Sequence, residues 1–514
     1  MTRERFISKA KSEFFDVCII GGGITGAGVL TQAVRRGWKA ALIDSQDFAY
    51  GTSSRSSKII HGGLRYLKLL QFGLVRRTLL DREHLLLSQP RLVKPIPFIK
   101  PSYSSFEMMA NSMIVGLYEK LAGKSSLKKF ERLTPDEVLH RIPGIRTDGL
   151  KGGILYWEGW TNDALLTIHY IRDAVDKKAV VLNYCEAMKF SRTADQVESV
   201  LCFDKLTGEE LAIRAKVFVN ATGVWVDSML KLVTGKVHST MRPSKGVHIV
   251  VSNKKIPSDF ATIVTSGTSD KRLLYCFPWE HGLTALGATD TEYNGSRDKI
   301  NVTEEDVDYL LNAFNIGFPS ARLRRGDIVS VYAGLRPILD DKRNNGSYSR
   351  SREFRIWWSA DNFINIGGGK LTSFLSMGER CMQVVESKIE CETRDARYEL
   401  KNVPEGNKLS CKDTLIGKIV EEDPALIAPI IDGLTVTGAD IIYHVRYSFA
   451  QTLADVFTRR TALTYAMKGF NEKAVRRVAD IMAGELKRND DWKERQAREF
   501  YEHWKEYHPE LLYN

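Results

Sequence analysis

The residues whose types and spacing can do chemistry begin with Gly21, Gly23 and Gly26, spaced G-x-G-x-x-G within FDVCIIGGGITGAGVLTQAVRRGWKAALID. Glycines at these intervals allow a tight turn, let the backbone approach a pyrophosphate and let the next helix pack close to its strand. Around Ile24 and Thr25 the phosphates would sit on unpaired N–H groups at that helix's positive end. Asp44, about twenty residues on, is placed to accept hydrogen bonds from a ribose. The chemistry expected here is the holding of a dinucleotide, and a position near the N-terminus is commoner for FAD than for NAD. In Phe48–Leu67, Thr52, Ser53, Ser54, Ser56 and Ser57 with interspersed cations suit a loop wrapped around a polar ligand. His61-Gly62-Gly63 follows and brings backbone close to something, because paired glycines are a needless entropic cost in a plain loop. Arg65 and Tyr66 come next. Imidazoles such as His61 and His248 can act as bases near neutral pH. Arg336 and Arg352 sit beside strands, where a planar guanidinium matches phosphate oxygens, although on residue type alone surface ion pairing is the better reading.

These residues need elements to position them. Val17–Ile20 is an apolar run of the kind a strand buried on both faces needs, and Lys39–Ile43 reads as its neighbour. Lys216–Asn220 runs into Ala221-Thr222-Gly223 and a helix near Trp225; a strand of this kind is expected to rejoin the first sheet, making the nucleotide domain discontinuous. Asn362–Ile366 leads into Gly367-Gly368-Gly369-Lys370-Leu371-Thr372, a second glycine-rich turn from strand to helix. Phe72–Leu87 and Asp163–Val175 have helical spacing, the latter capped by Asn162 or Asp163. Leu150–Trp157, Val180–Phe190, Val197–Phe203 and Glu210–Ile213 read as strands. Lys94–Pro101, with its prolines, is expected at an edge or crossover. Met108–Leu121 reads as an amphipathic helix whose apolar face packs. Val247–Val251, Ala261–Val264, Leu273–Pro278 and Thr284–Ala288 predict a separate antiparallel sheet, and Thr303 with Asp306 marks the start of a helix. Strands recur at Asp327–Ala333 and Phe354–Trp358. From about Glu390 only helical patterns remain, over Ala439–Phe457, Arg459–Met467 and Glu472–Trp504.

The chain of 514 residues suggests two to four units. No run is long and apolar enough to span a bilayer, and MTRERFISKAKSEFF has no apolar signal core, so the expectation is a chain kept in the cytoplasm. The seven scattered cysteines, without a C-x-x-C pair, read as reduced core thiols and not as a metal site. The net charge of +11 fits an anionic membrane face or a phosphorylated substrate. Nucleic acid is the weakest reading, since no RNA-recognition, helix-turn-helix or zinc-finger pattern is present.

Taken together, the opening fingerprint, TSSRSSKIIHGGLRYL (52–67), NATGVW (220–225), SKGVHIVV (244–251), GATDTEY (287–293), YAGLRP (332–337), SRSREF (349–354), GGGKLTSF (367–374) and TLADVFTRRTAL (452–463) resemble the FAD-dependent, respiratory glycerol-3-phosphate dehydrogenases. The resemblance implies an α/β fold with a glutathione-reductase-type FAD-binding domain (14–95, 150–235 and 325–388), a substrate domain with an antiparallel sheet (96–149 and 236–324) and an all-helical C-terminal domain (389–514). It implies oxidation of sn-glycerol 3-phosphate to dihydroxyacetone phosphate, electrons passing to ubiquinone or menaquinone. Oxygen as acceptor, or flavin binding without turnover, are the alternatives. His61 would be the base, with His248 as second candidate; Lys370 would steer the substrate oxygen or balance the flavin's charge. Arg65, Arg336 and Arg352 would surround the phosphate, with Tyr66 and Thr289 beside the substrate. FAD would contact Gly21, Gly23, Ile24, Thr25, Gly26, Asp44, Thr52, Ser53, Ser57, His61, Gly62, Gly63, Ala221, Thr222, Gly223, Gly369, Lys370, Leu371 and Thr372. Thr289-Asp290-Thr291-Glu292-Tyr293 is a close variant of the family's text. The family also implies peripheral attachment to the inner face of a bacterial cytoplasmic membrane, and is compatible with a homodimer.

Overall fold

Val17, Cys18, Ile19 and Ile20 are buried on both faces of a central strand, Phe14–Ile20, in the computed structural model, which describes residues 2–67, 69–124, 127–257, 259–265, 267, 272–340, 353–389 and 412–512. This strand pairs in parallel with Ala40–Ile43 on one side and Glu210–Asn220 on the other. Val180–Leu182 continues the sheet beyond Ala40–Ile43, and Phe363–Gly368 continues it beyond Glu210–Asn220. Phe354–Ala360 closes that edge in antiparallel fashion, and Cys185–Arg192 with Val197–Asp204 forms an antiparallel extension. The strand before Ala221-Thr222-Gly223 therefore does rejoin the first sheet. The Val180–Phe190 reading divides in two, because Tyr184 takes φ +55° between the pieces.

Three helices, Ile24–Arg35, Asp163–Asp176 and Phe374–Ile389, pack together on this sheet. Asn162 is the cap of the second, its side chain accepting from Leu165 N–H. The first and third cross closely because glycine faces backbone: a Cβ on Gly28 would lie 2.4 Å from the Phe374 carbonyl oxygen, and one on Gly378 2.4 Å from the Gly28 carbonyl.

A second, mostly antiparallel sheet has ten strands among the described residues. Ser244–Ser252 pairs with Leu283–Gly287 and with Ile328–Arg336; Leu273–Trp279 and Ala261–Thr265 lead on to Val93–Ser102, Gly152–Thr161 and Ile59–Ile60. The helix Glu304–Gly317 covers one face with Val307, Leu310 and Phe314, and Thr303 and Asp306 complete its capping box as expected. Sheet membership differs from the expected boundaries, since the strands within 150–161 and 325–336, assigned to the nucleotide domain, pair in this second sheet. Alternation marks a strand but not its partner, which is chosen by residues far away in sequence.

Val93–Ser102 is interior to the sheet, contrary to the edge expectation. Pro95, Pro97 and Pro101 occupy alternate positions, so their missing N–H groups fall on one side of the strand. Gly152–Thr161 pairs along the whole strand, while Ala261–Thr265 meets it only at Phe98 and Ile99.

Against this sheet lie Phe72–Ser88 and Ser105–Ala122. The latter buries Val115 and Tyr118, yet Phe106, Met109, Met113 and Leu117 are 73%, 52%, 68% and 40% exposed. One apolar face thus packs as expected, and a second apolar row is open.

The described C-terminal residues are helical apart from turns and one isolated bridge, around a core of Phe457, Val478, Phe500 and Trp504. The helical stretches are shorter than expected. Gly438–Tyr447 ends before Phe449 at φ +59°, Asp455–Arg460 is π-helical, and Lys487 at φ +54° separates Glu472–Leu486 from Asp490–Tyr507.

Candidate active site

The opening strand delivers its chain into a turn that only glycine fits. Gly21 has φ +110°, and a Cβ there would lie 2.6 Å from the Ala221 carbonyl oxygen; a Cβ on Gly26 would lie 1.8 Å from the Gly21 oxygen. At the start of Ile24–Arg35 the Ile24 N–H donates to Ser53 Oγ at 2.9 Å. Asp44 accepts from Gly22 N–H at 2.7 Å and from Gln46 N–H at 2.9 Å. Burial pushes the Asp44 carboxyl up to about 7 against the pull of those two donors. The Thr222 hydroxyl donates to Asn220 Oδ1 at 2.7 Å, and Asn220 Nδ2 to Asn365 Oδ1 at 2.9 Å, which ties the two adjoining strand ends together. A glycine cradle, a helix N-terminus and a carboxylate at the next strand's end fit the diphosphate and ribose of a dinucleotide.

The serine-rich loop and the second glycine turn meet beside this cradle. The His61 N–H donates to Thr372 Oγ1 at 3.0 Å, and the Thr372 hydroxyl lies 3.2 Å from the His61 carbonyl. Gly63 takes φ +81°, and Gly368 and Gly369 take +83° and +87°. The Lys370 ammonium lies 3.9 Å from the centroid of the Tyr66 ring. That ring is itself buried with Leu67, Val75, Leu79 and Tyr118, so Tyr66 supports Lys370 from below. Thr52 donates to the Leu335 carbonyl at 2.7 Å, joining the same loop to the second sheet.

His248 lies midway along Ser244–Ser252, stacked on Tyr332 with ring centroids 4.5 Å apart. Its Nε2 is 3.0 Å from Ser57 Oγ, and its buried Nδ1 has no hydrogen-bond partner among the described residues. Burial, reinforced by the Arg336 and Lys58 charges, holds this imidazole well below its ordinary pKa, and therefore neutral. Arg336 ends its strand with donors aimed at the Thr289 carbonyl (2.9 Å), Asp290 Oδ1 (3.2 Å), the Lys245 carbonyl (3.3 Å) and Ser244 Oγ (3.4 Å). A Cβ on Gly246 would lie 2.6 Å from that guanidinium, so glycine makes its room. Thr289 Oγ1 accepts from Val247 N–H at 3.0 Å and clips the two strands together. Arg352 and the side chain of Arg65 lie outside the described residues.

Three buried charge clusters escaped the sequence reading. Lys58 pairs with Asp163 behind Ser54 and Ser56; Arg82 pairs with Glu158 below Gly62; and Asp47 binds Arg459 and Arg460 of the helical domain. Only Glu158 has a faint signal, a charge inside the otherwise apolar run Leu155–Trp160.

A parallel sheet with this cradle, joined to an antiparallel sheet carrying histidine and arginine, defines a flavin-dependent oxidoreductase. Residues 16–379 match the profile of the FAD dependent oxidoreductase family, and 414–496 that of the C-terminal domain of alpha-glycerophosphate oxidase. The aerobic glycerol-3-phosphate dehydrogenase of Staphylococcus aureus (strain USA300) is 37% identical over 390 residues, 75% of this chain and 70% of that protein. The structure of the glycerol-3-phosphate dehydrogenase from Bacillus halodurans complexed with FAD superposes with a TM-score of 0.74 at 28% identity, covering 98% of this chain and 97% of that one. The L-alpha-glycerophosphate oxidase from Mycoplasma pneumoniae shares the fold, with a TM-score of 0.58 at 17% identity over 73% of this chain and 95% of that one. The chain belongs to the FAD-dependent glycerol-3-phosphate dehydrogenase and oxidase family, and FAD is its cofactor.

Proposed function

We propose that this enzyme oxidises sn-glycerol 3-phosphate to dihydroxyacetone phosphate and passes the electrons to a membrane quinone. The observation that carries the reading is the convergence at Ser57. One loop holds His61 against Thr372, beside Lys370, and places the Ser57 hydroxyl 3.0 Å from His248, on the strand next to Arg336. Bound FAD supplies the acceptor for the hydride that leaves carbon-2. The hydroxyl must also lose its proton, and His61 takes it as general base. Neutral His248 orients the same hydroxyl through Nδ1, its other nitrogen being fixed by Ser57. Lys370, steadied on Tyr66, offers a positive charge to the oxygen that becomes the ketone. Arg336, with Arg65 and Arg352, takes the phosphate, and Thr289 and Asp290 aim its guanidinium. The test is anaerobic addition of glycerol 3-phosphate to the purified, FAD-loaded protein: bleaching of the flavin absorbance is expected, and a spectrum that does not change would refute the reading.

The match to the oxidase C-terminal domain favours a second reading, in which oxygen replaces quinone and peroxide is released. Peroxide yield against quinone reduction in one assay separates the two. No helix among the described residues is long and apolar enough to cross a membrane. Quinone access is instead provided by peripheral contact, supported by the exposed apolar row on Ser105–Ala122, exposed Leu69, Leu70 and Phe72 nearby, and the exposed Arg76, Arg77, Lys120 and Lys124.

A further inference from the structure

Glu158 is a carboxylate in the interior of the strand Gly152–Thr161, buried at 2% exposure, where stability alone gives no reason for one. Two side-chain donors meet on it. The Tyr118 hydroxyl donates to Oε1 at 2.5 Å and Arg82 Nη1 to Oε2 at 2.5 Å, while the Gly62 N–H dipole favours its charged form. Arg82 comes from Phe72–Ser88 and Tyr118 from Ser105–Ala122, so two helices converge on one acceptor beneath the turn next to His61. Gly62 is pressed into this arrangement: a Cβ there would lie 2.5 Å from Leu79 Cδ2 and 2.6 Å from the Tyr118 hydroxyl. The strand Ile59–Ile60 just before pairs with Trp160 and Gly159, and His61 itself is held by Thr372.

A buried ion pair adds little net stability, since apolar side chains of similar volume do as well. What apolar side chains lack is a negative charge beneath the Gly62 N–H, held in place by Arg82 on one oxygen and Tyr118 on the other. We propose that Glu158 is the positioning residue that fixes the His61-Gly62-Gly63 turn against the flavin, with Arg82 and Tyr118 fixing Glu158 in turn. The effect on turnover rests on the role proposed for His61; the effect on the flavin's surroundings requires only that FAD binds.

The experiment compares FAD-loaded parent, Arg82→Met/Glu158→Met, Glu158→Gln and, as a structural control, Asp204→Asn, which weakens the pair between the buried end of the strand Val197–Asp204 and Arg3 of the helix Arg3–Ser12. Visible-region circular dichroism of the bound flavin, melting temperature, and kcat and KM for glycerol 3-phosphate across the neutral pH range are read for each. The double variant should melt only modestly below the parent, since the buried Tyr118 hydroxyl loses its acceptor, yet show an altered flavin band, a kcat reduced roughly tenfold or more with KM little changed, and a displaced pH profile. Glu158→Gln should move the same way by less. Asp204→Asn should lower the melting temperature and leave flavin band and kcat alone. A folded double variant with the parental band and kcat overturns the proposal. If that variant does not fold, Glu158→Gln decides, and a parental band in it is equally fatal. If the parent itself fails to oxidise glycerol 3-phosphate, the substrate reading falls while the flavin-band comparison still tests the clamp.

Discussion

Arg336 donates to four protein acceptors, and the proposed function asks it to hold a phosphate as well. Its replacement by Ala should raise KM for glycerol 3-phosphate by about ten- to a hundredfold, the scale of a charge-assisted bond, while the weak activity toward glycerol changes far less. Equal losses on both substrates in steady-state assays would remove the phosphate role. His508 sets a pH dependence. Burial presses its imidazole down to about 4, against the pull of the Trp504 carbonyl that Nδ1 reaches at 3.0 Å. A depressed folded pKa means that the unfolded chain binds the extra proton first. Stability is therefore full above about pH 6.5 and falls as pH drops toward 4, by about 2 kcal/mol at pH 5 for this residue. Denaturant melts at pH 7.5 and pH 5 should show the loss, and His508→Gln should reduce the difference. At this scale the places of the cradle glycines, Asp44 and Lys370 at strand ends and turns were legible, because backbone freedom and local spacing set them. Glu158 was not, since its two donors come from positions 82 and 118, the turn beside it from position 62, and no local pattern brings them together.

The crossing of Ile24–Arg35 with Phe374–Ile389 is an element-scale constraint with no slack. Gly28→Ala would drive a methyl group onto the Phe374 carbonyl, and a destabilisation of about 1–3 kcal/mol is expected from urea unfolding, with FAD retained. Gly26→Ala strikes the cradle itself, and purified protein should be colourless after incubation with FAD. Most elements were readable from periodicity and caps; Thr303 and Asn162 start helices where their side chains predicted. Partnerships were not readable. Leu150–Trp157 and Asp327–Ala333 look like any other strands, and only pairing across the fold sends them to the second sheet. The prolines of Val93–Ser102 misled because their spacing by even numbers, which spares one side of the strand, counts for more than their number. The broken helices near Phe449 and Lys487 depend on left-handed residues that are not glycine, a choice made by tertiary packing.

At the scale of the whole molecule, the helical domain is fastened to the nucleotide sheet by charge. Arg460 grips both oxygens of Asp47, at 2.7 and 2.8 Å, and Arg459 bridges Asp47 at 2.5 Å and Asp455 at 2.6 Å. Burial alone would raise the Asp47 carboxyl, but Arg460 and Arg459 outweigh it and hold it low. Asp47→Ala leaves two guanidinium groups short of a partner, and a loss of about 3–5 kcal/mol is expected by calorimetry or denaturant. The exposed row on Ser105–Ala122 makes a separate prediction. Met113→Glu should reduce flotation with anionic vesicles and leave flavin bleaching in solution unchanged. The first sheet, finally, is assembled from segments far apart in the chain. Phe14–Ile20 acquires one parallel neighbour at Glu210–Asn220, and that strand acquires its own at Phe363–Gly368. At ribosomal speeds of about 5–20 residues per second, roughly twenty seconds to more than a minute separate emergence of the first strand from that of the last. Until Glu210–Asn220 emerges the first strand, and until Phe363–Gly368 emerges its new neighbour, has an unpaired apolar edge, the kind of surface that exposes a growing chain to misassembly.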